Sequence, residues 1–254
     1  MVETKQSDMM GGLAKGLRVI EAFTVDTPRL SISEAAAIAG LDRATTRRCL
    51  LTLAELGYCA YDGKFFTVTP RVLRLGTGCL ATMPLPRIVQ PWLDKLSEEI
   101  GQSTSVAILD ESEIVYVARA AQRKVMSIAL MPGSRLPAYC TSMGRVLLAA
   151  LPEEAARRLL GSAPLIQRTP HTVTDIERLM SELKTVRTQG YATVSEEVEL
   201  GLRSIAVPLA NARGQVVAAL NTGFPASSDT VNAVAQNSLE PLLRVRNDLS
   251  RILN

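Results

Sequence analysis

The stretch from Ser31 to Gly57 reads SISEAAAIAGLDRATTRRCLLTLAELG and predicts two short helices joined by a tight turn. Ser31 and Glu34 have the spacing of a capping box, and small apolar residues follow until Gly40 can end the first helix. Asp42 stands where the second helix needs an N-cap, and Gly57 stands where that helix would end. Two helices with this spacing predict a helix-turn-helix.

The second predicted helix carries arginines on the face opposite to its apolar residues. At the helical period, Leu50 and Leu53 share one side, whereas Arg47 and Arg48 point away from it. Such a face can enter the DNA major groove because guanidinium groups donate hydrogen bonds to phosphate oxygens and guanine edges. The predicted DNA contacts from this helix are Arg43, Thr45, Arg47 and Arg48. A plain helical hairpin with solvated arginines is the alternative, and the residues that follow argue against it.

Residues 58–69 predict a β-hairpin directly after that helix. β-Branched and aromatic residues flank Asp62 and Gly63, the dipeptide that favours a type I′ turn. Lys64 at the predicted tip is placed to contact a phosphate. Because a hairpin after a recognition helix forms a wing, we expect a winged helix-turn-helix domain that binds double-stranded operator DNA.

The composition is that of a globular protein with room for two domains. The chain has 254 residues, 47% of them hydrophobic, and a formal net charge of +3. That charge is too small to attract nucleic acid in bulk, so the local placement of basic side chains must do so. No apolar run approaches the roughly 20 residues needed to cross a bilayer, and residues 1–12 lack the apolar segment of a secretory signal. We therefore expect a cytoplasmic protein with no membrane partner.

The four cysteines and the single histidine do not have the spacing of a metal site. Structural zinc sites use paired ligands such as C-x-x-C, and no such pair occurs in the sequence. The sequence therefore predicts no metal and no cofactor. Cys140 and His171 could be the nucleophile and base of a cysteine-dependent hydrolase, but nothing marks an orienting acid or an oxyanion hole. An enzyme is the weaker alternative.

The chain after the hairpin predicts a linker helix and then a mixed α and β domain. We expect a DNA-binding domain over 1–69, a linker helix over 70–86 that ends in the proline-rich stretch Met83–Pro86, and an effector domain over 87–254. Strands are predicted at 103–109, 114–120, 125–130, 191–195, 204–209 and 216–222. Helices are predicted at 13–23, 88–100, 142–151, 153–160 and 174–189, followed by a last helix capped by Asp229. This order favours an α+β fold in which helices cover an antiparallel sheet.

The predicted helix over 71–81 is too apolar to remain exposed to water. Its apolar residues are Val72, Leu73, Leu75 and Leu80. We therefore expect at least a homodimer, built through this helix and the N-terminal segment, and an operator with two similar half-sites.

Four stretches of the chain resemble the IclR family of bacterial transcriptional regulators, and they occur in the order of that family. They are Leu13–Phe23, the helix-turn-helix, Gly133–Ala150 and Gly201–Pro208. The wording is closest to the PcaR, PcaU and PobR group, which regulates aromatic-acid catabolism. The resemblance implies a GAF-like effector domain, a homodimer or homotetramer, and a small carboxylate effector such as an aromatic acid or β-ketoadipate. The implied targets are genes of the protocatechuate, 4-hydroxybenzoate or β-ketoadipate pathways, and another catabolic pathway is the alternative.

Arg203 is the first candidate to bind the effector because it begins an otherwise apolar predicted strand. Its guanidinium could form a fork with a carboxylate, and an ion pair with a nearby glutamate is the alternative. Arg119, at the end of another predicted strand, is the second candidate cation. The resemblance adds the positions that face the ligand in the family, namely Ser142, Met143, Ser204, Ala206 and Asn221. Ser142 could equally be a helix N-cap.

Overall fold

The computed structural model describes residues 9–24, 26–122, 130–226 and 231–253, and it divides the chain into two units, 1–82 and 83–254. The first unit contains α1 (Gly11–Glu21), β1 (Arg29–Leu30), α2 (Ile32–Ala39), α3 (Arg43–Glu55), β2 (Cys59–Tyr61), β3 (Phe66–Val68) and α4 (Leu73–Thr82). A short 3-10 turn, Pro70–Val72, precedes α4. The helix-turn-helix and the hairpin after it are therefore confirmed.

The predicted caps hold α2 and α3 in place. The Ser31 backbone N–H donates to Glu34 Oε2 at 2.7 Å, and the Glu34 N–H donates to Ser31 Oγ at 3.4 Å, which completes the capping box. Gly40 ends α2 with a φ of +60°, and the Thr45 N–H donates to Asp42 Oδ1 at 2.8 Å to cap α3. Small residues on α2 and Leu50 on α3 are buried in one apolar core, so packing and capping agree.

The turn of the hairpin differs from the type I′ turn that the sequence predicted. Asp62 N–H donates to the Phe65 carbonyl, which makes Gly63 and Lys64 the central residues of the turn. A type I′ turn needs a positive φ at both central residues. Gly63 has a φ of +102°, whereas the described non-glycine residues with a positive φ lie elsewhere in the chain. The Asp62 carboxylate instead accepts hydrogen bonds from the Lys64 and Phe65 N–H groups, at 3.0 and 2.8 Å, and thereby fixes the tip.

The second unit is a six-stranded antiparallel sheet with helices on both faces, in the strand order β6-β5-β4-β9-β8-β7. Its elements are α5 (Pro84–Ile100), β4 (Ser103–Asp110), β5 (Glu113–Ala120), β6 (Arg135–Pro137), α6 (Ser142–Ala149), α7 (Glu153–Leu160), α8 (Ile176–Gln189), β7 (Ala192–Ser195), β8 (Leu202–Ala210), β9 (Val216–Pro225) and α9 (Val231–Leu249). One core lies between the sheet and α5 with α9, and the other lies between the sheet and α6 to α8. The α+β fold is confirmed.

Several boundaries in the second unit differ from the sequence prediction. The break before α5 is confined to Met83, because the helix starts at Pro84 and a proline is tolerated in the first turn, where its missing N–H is not needed. Helix α8 begins at Ile176 with Asp175 as its N-cap, two residues after the predicted start at 174. Strand β6 was not predicted at all. Most of the strand predicted at 125–130, and the cap predicted at Asp229, lie outside the described residues.

None of the helices in the described part of the chain combines the length and the apolar character that crossing a membrane requires.

Candidate nucleic-acid face and effector cavity

Helix α3 presents three exposed arginines whose charges are not balanced by an ion pair with any described residue. Arg43 and Arg47 lie four residues apart on one side of the helix, and Arg48 lies beside them. Among the described residues, none of the three forms an ion pair. Their guanidinium donors are therefore available to phosphate oxygens and base edges.

Thr45 lies at the buried start of α3, on the side away from Arg43 and Arg47, against the expectation that it faces DNA. Its side chain is 8% exposed and Thr46 beside it is fully buried. Thr46 Oγ1 donates to the Asp42 carbonyl at 2.9 Å, so both threonines belong to the buried start of the helix. Because successive residues of a helix point to different sides, α3 can present Arg43 and Arg47 to solvent while Thr46 faces the core.

The tip of the wing carries two cations, one of which the sequence reasoning missed. Lys64 is exposed, and its Nζ lies 5.0 Å from the centre of the Phe65 ring. Arg29 in β1 lies over the same ring at 4.2 Å and forms an ion pair with Asp62 at 2.5 Å. Because β1 pairs with β3, Arg29 reaches the tip from 33 residues away along the chain. No local pattern in the sequence signals that pairing.

A cavity lies in the second unit between the sheet and the N-terminal turn of α6. Its lining residues are Ser103, Tyr116, Arg119, Leu130, Leu136, Thr141, Ser142, Met143, Val198, Leu202, Ser204, Asn221 and Gly223. Five predicted effector residues therefore meet here: Arg119, Ser142, Met143, Ser204 and Asn221. The free volume is about 30 Å³, enough for about two water molecules.

Arg119 is the cation of this cavity. It is partly buried, and its Nη1 donates to Ser105 Oγ at 2.9 Å. Burial lowers the pKa of Arg119 from its ordinary value, and burial raises the pKa of the neighbouring Tyr116 hydroxyl. Among the described lining residues there is no aspartate or glutamate to balance the guanidinium charge.

A β-bulge explains why Tyr116 and Arg119 share one face of the sheet. Residues three apart in a regular strand point to opposite faces. In β5 the register shifts so that Ala118 pairs with Val106 while Tyr116 pairs with Ala107, which leaves one extra residue, Val117. The extra residue restores Arg119 to the face of Tyr116, and both line the cavity.

Ser142 brings an unpartnered hydroxyl to the same cavity. The residue is 1% exposed, and its Oγ is one of the buried oxygens that have no hydrogen-bond partner among the described residues. The N-cap of α6 is Thr141, whose Oγ1 accepts from the Gly144 N–H at 3.1 Å, so Ser142 is not the cap. A buried hydroxyl without a partner is costly unless a ligand or water supplies one.

The structure corrects the expectation for Arg203. Its neighbour Ser204 lines the cavity, and because adjacent residues in a strand point to opposite faces, Arg203 points away from it. Arg203 Nε donates to Ser195 Oγ at 3.1 Å, and Nη2 lies 4.0 Å from Glu196 Oε1. The ion pair that was the alternative is therefore the one formed. Ala206 is fully buried in the core beyond the lining of the cavity.

Glycine 223 lines the cavity and was missed by the sequence reasoning. Gly223 sits in β9 between Ser103 on β4 and Ser204 on β8. A glycine inside a strand often marks a place where a ligand or another backbone approaches closely, and that signal was available in the sequence.

A buried ion pair next to the cavity was also missed. Arg145 on α6 donates to Glu197 Oε2 at 2.7 Å and contacts Glu182 Oε2 at 2.7 Å, and its side chain is only 5% exposed. Glu197 also accepts from the Val173 N–H at 3.1 Å. Burial raises the pKa of Glu197, and the charge of Arg145 opposes that change. The ion pair fixes Glu197, and the next residue, Val198, lines the cavity.

Cys140 does not have the environment of a catalytic nucleophile. It is fully buried, its thiol donates to the Pro137 carbonyl at 3.7 Å, and burial raises the pKa of the thiol to about 12. The reactive thiolate is therefore scarce near neutral pH. This environment argues against the hydrolase alternative.

Comparison with known proteins gives the same family for the part of the chain that contains α3 and for the part that contains the cavity. Residues 12–63 match the family model described as IclR helix-turn-helix domain, and residues 77–251 match the one described as bacterial transcriptional regulator IclR C-terminal. The chain is 42% identical to the Pca regulon regulatory protein of Pseudomonas putida over 97% of this chain and 85% of that protein. It is 39% identical to the p-hydroxybenzoate hydroxylase transcriptional activator of Acinetobacter baylyi, over 86% and 83% of the two chains. A crystal structure of an IclR homologue complexed with 4-hydroxybenzoate, from Microbacterium hydrocarbonoxydans, matches with a TM-score of 0.74 at 25% identity, over 94% and 98% of the two chains.

Proposed function

The chain belongs to the IclR family of bacterial transcriptional regulators, and we propose that it responds to a small aromatic carboxylate bound in the cavity beside α6. Arg119 is the residue that carries this proposal. A partly buried guanidinium without a balancing carboxylate is costly, and an anionic ligand removes that cost. A carboxylate can accept two parallel hydrogen bonds from it.

The remainder of the cavity suits a ligand with an apolar body and a second polar group. Met143, Leu136 and Leu202 supply apolar walls. The unpartnered Ser142 hydroxyl can donate to or accept from a ring substituent. The first turn of α6 adds the partial positive charge of a helix N-terminus, which favours an anion.

The ligand class and the regulated pathway follow the names of the relatives. One relative is named for the Pca regulon, another is named as an activator of p-hydroxybenzoate hydroxylase, and a solved homologue holds 4-hydroxybenzoate. We therefore place the regulated genes in aromatic-acid catabolism, with protocatechuate and 4-hydroxybenzoate as the first ligands to test. Since the free volume of about 30 Å³ is too small for a benzene ring, the lining of the cavity must move outward when such an acid binds.

Operator binding is assigned to α3 and the wing of a homodimer. Arg43, Arg47 and Arg48 contact bases or phosphates, and Lys64 contacts a phosphate beside the recognition helix. The exposed apolar side chains of Leu13 and Leu75 are covered by the second copy. The operator then has two similar half-sites.

Calorimetry with protocatechuate and 4-hydroxybenzoate tests the proposal on two matched arginine variants. Arg119→Ala should weaken the binding of the acid by about tenfold or more, because a charge-assisted hydrogen bond is lost. Arg203→Ala is the control, since its side chain points away from the cavity, and it should bind the acid like the wild type. Unchanged affinity in Arg119→Ala would overturn the assignment.

A further inference from the structure

A second cavity lies in the effector domain and shares no lining residue with the first. It has a free volume of about 170 Å³, against about 30 Å³ for the cavity beside α6. Its walls come from the segment 137–139, from α6 and α7, and from the stretch 163–168 that follows α7. Neither DNA binding by the helix-turn-helix nor effector binding in the cavity beside α6 uses this second cavity.

The interior of the second cavity is apolar and has the size of a small ring. Leu148 and Leu160 in its wall are almost completely buried, and Leu159 and Leu165 add further apolar surface. An engineered apolar protein cavity of about 150 Å³ binds benzene, so about 170 Å³ suffices for a six-membered ring or a branched chain of similar size. Its interior excludes a ligand that is polar throughout, because a buried polar group without a partner is costly.

Its rim carries one uncompensated positive charge. Arg168 is exposed and forms no ion pair with any described residue. The acidic side chain in the wall, Glu113, is already occupied by Arg135, whose Nε lies 2.7 Å from Glu113 Oε2. The hydroxyl of Tyr139 is occupied as well, since it donates to the Ile166 carbonyl at 2.6 Å. Arg168 is thus the group at the rim that is free to select a ligand by charge.

We propose that this cavity is a second small-molecule site that binds an apolar monocarboxylate, with its ring or branched chain between the leucines and its carboxylate on Arg168. The combination of a ring-sized apolar interior and a free guanidinium at the mouth selects that chemistry. The site is independent of the proposed effector site, because Arg119 and Ser142 have no part in it.

The test is a benzoate titration of the full-length protein followed by NMR of isotope-labelled methyl groups. The Met143 methyl reports the effector cavity, whereas the methyls of Leu148, Leu160 and Leu165 report the second cavity. Four proteins are compared: the wild type, Arg119→Ala, Arg168→Ala, and Arg158→Ala as an exposed arginine outside both cavities. Failure at the effector site and failure at the second site are thereby seen in separate signals.

In the wild type, in Arg119→Ala and in Arg158→Ala, the three leucine methyl signals should shift with one common dissociation constant. Arg168→Ala should weaken that binding by about tenfold, because a charge-assisted hydrogen bond is lost. A second variant, Ala163→Trp at the exposed rim, should abolish the leucine shifts by filling the mouth without changing the core. Leucine signals that stay unmoved at saturating benzoate, or an Arg168→Ala protein that binds as tightly as the wild type, would overturn the proposal.

Discussion

The arginines of the two units are placed in opposite ways. On α3, Arg47 and Arg48 are exposed and form no ion pair within the part of the chain that the structure describes, whereas Arg145 in the effector domain is buried between Glu197 and Glu182. The guanidinium group of the first kind of arginine is available to bind a partner. The guanidinium group of the second kind is held in buried ion pairs and is not available to a partner. Arg119 lies between these extremes, because it is partly buried and its side chain donates to a neutral hydroxyl, that of Ser105, rather than to a carboxylate among the described residues.

Of the substitutions that distinguish buried from exposed arginines, the removal of Arg145 should have the largest effect on stability. Arg145→Met leaves the buried carboxylate of Glu197 without its cation, so the free energy of unfolding should fall by about 3–5 kcal/mol. Urea denaturation of the effector domain transition measures it. The control is Arg157→Ala, which breaks an exposed ion pair with Glu177 and should change stability little.

The stability of the Arg145→Met variant as a function of pH is a second test of the ion pair between Arg145 and Glu197. Burial raises the pKa of Glu197, and without Arg145 the largest opposing influence is lost, while the hydrogen bond from the Val173 N–H remains. A carboxyl group with a raised pKa in the folded state stabilises the fold at low pH, and that stabilisation is lost as the pH rises through the raised pKa. The deficit of the variant should therefore be smaller at pH 5 than at pH 8. A deficit that does not change with pH would mean that Glu197 finds another cation.

A smaller effect, and on a different quantity, is expected from the arginines of α3. Arg47→Ala and Arg48→Ala should each weaken operator binding by about 1–3 kcal/mol where a base contact is lost. Both should leave the unfolding transition unchanged, since neither guanidinium has an ion-pair partner among the described residues. Gel-shift titrations over a range of salt concentrations distinguish a base contact from a phosphate contact, because only the latter flattens the salt dependence. If both proteins bind the operator as the wild type does, α3 is not the reading helix.

The smallest effect concerns the wing, where an exposed arginine is nevertheless paired. Hydrogen bonds from the Phe65 and Lys64 N–H groups, together with Arg29, lower the pKa of Asp62 to about 2. A carboxylate with a lowered pKa holds the turn above its ordinary pKa, and the support is lost as the pH falls through the lowered value. The amide signals of Lys64 and Phe65 should therefore shift with a midpoint near pH 2. In Asp62→Asn that titration should vanish, and a midpoint near 4 in the wild type would refute the assigned contacts.

The features that the sequence predicted well depend on neighbouring residues. The capping box of Ser31 and Glu34 and the outward face of Arg47 involve residues within one or two helical turns. The position of the hairpin also follows from local composition, although the choice of central residues in its turn depends on how the Asp62 carboxylate bonds to the backbone.

The features that the sequence could not supply depend on residues far apart in the chain. Arg145 and Glu197 are 52 positions apart, and nothing near either residue indicates the other. Taken strand by strand, the sequence favours Arg203 over Arg119 as the cation that binds the effector. The choice between them rests on which face of the sheet each residue occupies, and that is decided by strand pairing and by the bulge in β5.

The bulge in β5 makes the position of Arg119 depend on a count of residues. One residue inserted in β4 between Val106 and Ala107 would give Val117 a partner and remove the bulge, so that Tyr116 and Arg119 would point to opposite faces of the sheet. In a lineage of such regulators, a single-codon insertion at this point would therefore take one of these two side chains out of the cavity without substituting any residue that lines it.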